Sequence, residues 1–165
     1  MEEDVRTMSD RGGVRRDAIT RAWFFLEQGR RLPYRADFGE YEAFEAYLEA
    51  AIIYSRIAIH RLHSAAEQRA KGDPHLKAEV DAWWASLLED PAIPFIRDQR
   101  NFIAKEGPPK FNQTIWAGGS PEKMEELYYY ETPDIPATET IERHLRSVER
   151  IVTDAERRFG TSTLS

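Results

Sequence analysis

Residues 40–71 contain neither glycine nor proline, and their apolar side chains recur with a helical period. One seam runs Tyr41, Phe44, Leu48, Ala51, Ser55, Ile59, Leu62 and Ala66; a second stripe carries Tyr47, Tyr54 and Ile57. Positions three and four apart share one side of an α-helix, so this pattern predicts a single long helix. At 1.5 Å per residue it would extend about 45 Å. Two apolar stripes predict a helix touched on both sides, hence a central one. Its remaining stripe is polar: Glu42, Glu45, Glu49, Arg56, His60, His63 and Glu67.

The rest of the chain supplies partners for it. Ile19, Trp23 and Leu26 predict a first helix from about residue 14, with Gly29 and Leu32-Pro33 as its stop. Gly72 ends the long helix. Asp73-Pro74 then starts another, an acceptor side chain followed by proline at the first helical position, with Leu76, Val80, Trp83 and Leu87 as its apolar face. Asp90-Pro91 repeats the start signal for a shorter helix over about 91–105, with Phe95, Ile96, Phe102 and Ile103 as core candidates; Gly107-Pro108-Pro109 stops it. The helical period is lost over 110–136, where 111–116 and 127–130 could form two short strands around Gly118-Gly119. A final helix starts near Thr138, its seam Ile141, Leu145, Val148, Val152, Ala155 and Phe159, and Gly160 ends it. The expected architecture is all-α, a single bundle of four or five helices with an irregular or hairpin insert before the last. A length of 165 residues fits one domain, taken as 14–160, with flexible segments at 1–13 and 161–165.

Several chemistries are excluded by composition. There is no cysteine, so disulfides, thiolate-bound zinc and a cysteine nucleophile are absent, and a cytoplasmic setting is expected. No secretory signal or membrane span is read in the sequence. His60 and His63 with Glu67 have ligand spacing, but no second helix offers a matching set, so no metal is expected; no cofactor motif is present. The formal charge of −6 argues against a broadly basic nucleic-acid surface. That charge is uneven. Residues 36–56 hold five carboxylates against Arg56, and 120–140 hold six against Lys123. Residues 93–111 instead carry Arg97, Arg100, Lys105 and Lys110 against Asp98 and Glu106, and six arginines lie between 15 and 35. A focused basic site on an acidic chain is therefore compatible with the composition.

The segment from Phe95 to Gly107 concentrates this signal: Arg100 and Asn101 sit late in a short helix beside Phe102, five residues before Lys105. Here the chain resembles the HEPN superfamily, compact helical bundles, usually dimeric, many of them metal-independent endoribonucleases. The resemblance covers about 40–159. Its specific part is Arg100 with Asn101, matching an Arg-polar motif followed by histidine four to six residues on. Lys105 stands where that histidine falls. Proton transfer near neutral pH suits imidazole, whereas lysine as a residue type stays cationic. The resemblance thus implies a degenerate site at Arg100, Asn101 and Lys105, binding more than cutting. Arg97, Arg100, Asn101 and Lys105, with His60 and His63 as a second source of imidazole, are the candidate ligand residues. RNA, a nucleotide or a protein partner are the implied ligands, and a homodimer the implied assembly. Two alternatives stand beside this: a metal-independent endoribonuclease, and a helical dimerisation module presenting exposed aromatics.

Overall fold

The computed structural model describes residues 13–32, 38–106, 112–117, 124–130 and 135–160. Five helices and one hairpin follow in chain order: α1 (Gly13–Arg31), α2 (Phe38–Arg69), α3 (Pro74–Leu87), α4 (Ala92–Glu106), β1 (Asn112–Ala117), β2 (Met124–Tyr129) and α5 (Ala137–Phe159). The fold is an all-α bundle. α2 is its centre and packs against α1, α3, α4 and α5. The seam read from the sequence is the buried side of α2: Phe44, Leu48, Ala51, Ile59, Leu62 and Ala66 are all in the core. Ser55 lies in the same seam because its hydroxyl donates to the Ala51 carbonyl at 2.7 Å, which satisfies the one polar group there. Tyr47, Tyr54 and Ile57 are half-buried, as befits a side that α1 covers only in part.

The core forms two clusters, one toward each end of α2, and Trp23, Tyr54 and Phe95 pack against both. α5 closes the bundle with Ile141, Leu145, Val148, Val152, Ala155 and Phe159, every one buried. It ends where Gly160 turns left-handed at φ 60°, its N–H returning to the Glu156 carbonyl at 3.0 Å; a side chain there would be strained. Both aspartate start signals hold. Asp73 accepts from the backbone N–H groups of His75 and Leu76 at 3.0 Å each. Asp90 accepts from the Ala92 N–H at 2.9 Å, and its other oxygen accepts from Arg150 of α5, also at 2.9 Å.

One expectation needs correction. Gly29 does not end α1, which continues to Arg31. A β-carbon at Gly29 would come within 2.8 Å of Leu48 Cδ1, so glycine is there to let α1 and α2 approach. α1 is also held to α5, since Glu142 accepts from both Arg30 and Arg146. Those two guanidiniums hold the Glu142 carboxyl below its ordinary range.

β1 and β2 pair antiparallel, Asn112 opposite Tyr129 and Ala117 opposite Met124. Just after β2, Tyr130 is buried with its ring edge-on to Phe95 of α4, centroids 5.0 Å apart. β2 itself packs against α5, and Tyr130 links the residue after the hairpin to α4.

Candidate anion-binding site

α4 presents Arg97, Arg100 and Asn101 from its middle and Lys105 from its last turn. Its buried side, Ile93 and Ile96, sits in the same core cluster as Ala58 and Ile59 of α2. That packing brings Arg56 of α2 to the arginines of α4. Burial lowers the Arg56 pKa, and the positive charges of Arg100 and Arg97 lower it further. Arg56 therefore lies within electrostatic reach of Arg97 and Arg100 across the α2–α4 contact.

What neutralises them is slight. Arg97 Nε donates to Asp98 Oδ1 at 2.9 Å, a contact between sequence neighbours that are both about half exposed or more. Exposed pairs of this kind contribute about 0–1 kcal/mol, so a phosphate could replace Asp98 at little cost. Arg100 donates to the neutral Asn101 side chain at 3.2 Å. Among the described residues, neither Arg56 nor Arg100 has a carboxylate within ion-pair distance. Guanidinium forks match phosphate oxygens two at a time, and a cluster of them favours a ligand with more than one negative charge.

The other candidate residues divide around this cluster. Lys105 is exposed. It lies five positions after Arg100, which turns it about 140° around α4, so the two do not share a face. His60 is exposed and follows Arg56 by four residues, on the same side of α2. His63 is drawn elsewhere: its ring stacks on Trp84 of α3 at 3.8 Å, and its Nε2 lies 3.6 Å from Glu67. Burial lowers its pKa, with Lys77 and His60 adding to the shift and Glu67 and Asp81 opposing it. His63 thus belongs to the α2–α3 contact. A further imidazole, His144 of α5, stacks on Phe95 at 4.2 Å, the ring that Tyr130 also meets.

The structure places Arg97, Arg100 and Asn101 on neighbouring positions of α4, sets Lys105 one turn beyond Asn101 and away from Arg100, and adds Arg56, which the motif did not include. The signal for Arg56 was in the sequence, in its four-residue spacing from His60 on the polar stripe. That α4 would cross α2 at that level was not. Among the described residues, no group of three or more His, Asp or Glu is placed to hold a metal ion, and no helix is long and apolar enough to cross a membrane. Comparison of the chain with protein-family models, with curated proteins and with solved structures finds no match.

Proposed function

We propose that this chain is a HEPN-like, non-catalytic helical domain that binds the phosphates of RNA or of a nucleotide on its α2–α4 face. The convergence of Arg56, Arg97 and Arg100 with so little internal neutralisation carries the reading. Gathering like charges is unfavourable, and a polyanion would relieve it. Arg97 and Arg100 grip phosphate from α4, Arg56 adds charge from α2, and Asn101 holds the Arg100 fork in place. Lys105 stands where the family motif has its histidine, and the missing imidazole argues for binding over cleavage. A cytoplasmic homodimer is part of the same reading, in keeping with a chain that lacks cysteine.

The test is fluorescence anisotropy with a short single-stranded RNA in chelator. Binding should weaken as salt rises, with a log–log slope of about 0.7 per phosphate contacted. Replacing Arg97 and Arg100 together by alanine should weaken it roughly tenfold or more, since each charge-assisted contact is worth about 1.5–3 kcal/mol. Lys105→Ala should have a smaller effect. Affinity unchanged in the double variant would refute the site. The same mixtures run on a denaturing gel separate the alternative: RNA shortened by the wild type and intact with Arg100→Ala would mean a metal-independent endoribonuclease, with His60 the nearest exposed imidazole.

A further inference from the structure

The polar stripe of α2 continues past the arginines. Arg56, His60 and His63 follow one another at spacings of four and three, which sets them on one side of the helix over about 10 Å. At the near end Arg97 and Arg100 of α4 act on Arg56. At the far end His60 acts on His63. His60 itself, between the two ends, is exposed. The far end is aromatic where the near end is cationic. The rings of His63 and Trp84 lie 16° from parallel with centroids 3.8 Å apart. Neither ring is sealed in: the His63 side chain is 24% exposed and Trp84 is only partly buried, whereas its neighbour Trp83 belongs to the core. Burial favours the neutral form of His63, so this end presents flat rings without a cationic charge at neutral pH.

Two kinds of surface on one line fit one class of ligand. Guanidiniums take phosphate oxygens. Aromatic rings take the face of a base, and any base serves, because each has a π-face. A bare polyphosphate would use only the near end. A base inside a duplex has its faces covered by its neighbours, so the far end suits an unpaired one. Every residue of the line sits on a helix, with no glycine-rich loop among them to wrap a triphosphate. His63 is thus lost to phosphate, but the pair it makes with Trp84 adds a second surface to the arginines.

We infer that this line is a track for single-stranded RNA, its phosphates held by Arg56, Arg97 and Arg100, a base packed against the exposed side of the His63–Trp84 pair, and His60 beside the backbone between them. The inference rests on the anion-binding reading and adds the ligand class: a strand of two or more unpaired nucleotides. Competition against a fluorescein-labelled pentaadenylate tests it on the full chain, with pApA, AMP, ATP and inorganic tripolyphosphate as unlabelled competitors. In the wild type pApA should compete roughly tenfold better than AMP or ATP. Trp84→Leu, which keeps an apolar side chain, should weaken the pentaadenylate by roughly fivefold or more, the low end of what one stacked base contributes, and leave tripolyphosphate within about twofold. Trp84→Phe should recover most of the loss. AMP or ATP competing as well as pApA overturns the inference. So does a pentaadenylate indifferent to Trp84→Leu, or a variant that weakens both probes alike. The two readings fail separately: Arg97→Ala with Arg100→Ala should weaken both probes, and if it weakens neither, the anion site itself is refuted. If Trp84→Leu loses its helical circular dichroism, the wild-type competition decides alone.

Discussion

At Gly29 a hydrogen stands where any other side chain would meet Leu48, itself fully buried. Two effects oppose each other there. Alanine would gain up to about 1 kcal/mol in helix propensity over glycine. Its β-carbon would also force the Leu48 methyl aside, so Gly29→Ala should come out close to neutral. Valine adds two methyls to the same gap and loses rotamer freedom on a helix. Gly29→Val should therefore destabilise the chain by about 1–3 kcal/mol, the usual cost of overpacking a core. Urea unfolding followed by circular dichroism measures it; a midpoint equal to wild type would mean α1 and α2 can part without loss. Ser55 shows the complementary case. It sits in an apolar seam at no penalty because the helix offers its own carbonyl as partner.

Helices α3 and α4 start on an aspartate side chain, and α5 stops at a left-handed glycine. α3 is the clearest case: Asp73 satisfies two N–H groups that a helix start leaves open, and Pro74 occupies a position needing no donor. Asp73 is exposed, so its contribution comes from capping and not from packing. Asp73→Ala should cost about 1 kcal/mol, read as a lower urea midpoint with an unchanged slope. Asp73→Asn should recover most of it, because the amide oxygen still accepts. Equal losses in both variants would trace the effect to charge instead. α5 lacks a side-chain cap at Pro136 and holds its place by burial and by Glu142, which answers arginines on α1 and on α5 itself.

For the whole molecule, proton binding couples to folding just below neutral pH through His63 at the α2–α3 contact. His63 is held there by Trp84, with Glu67, Lys77, Asp81 and His60 around it, and burial sets its folded pKa below the ordinary 6.5. As pH falls through 6.5, the unfolded chain takes up a proton that the folded chain still refuses. Stability contributed by neutral His63 is therefore complete above that pH, declines below it, and stops declining once the folded imidazole is protonated too. Unfolding free energies measured from pH 8 down to about 5 should show this decline. His63→Gln should flatten that part of the profile. An identical profile in the variant would assign the decline to other groups.

Local physics made much of this legible in the chain. Periodicity placed five helices, because apolar side chains three and four apart must share a face. Aspartate-proline pairs marked two helix starts, because only certain side chains satisfy open N–H groups. Five residues of the candidate site, Arg97, Arg100, Asn101, Lys105 and His60, were named by motif and polar stripe. Their sorting into groups was not legible. Arg56 joins Arg100 because α4 crosses α2 at that turn, and His63 is lost to the site because Trp84 of α3 meets it first. Gly29 read as a helix stop because breaking a helix and permitting a close approach demand the same missing side chain. Sequence by itself determined which residues form helices and which face of each is apolar, since those follow from neighbours a few positions away. Only the tertiary structure decided which polar groups converge, since that depends on where helices far apart in the chain cross.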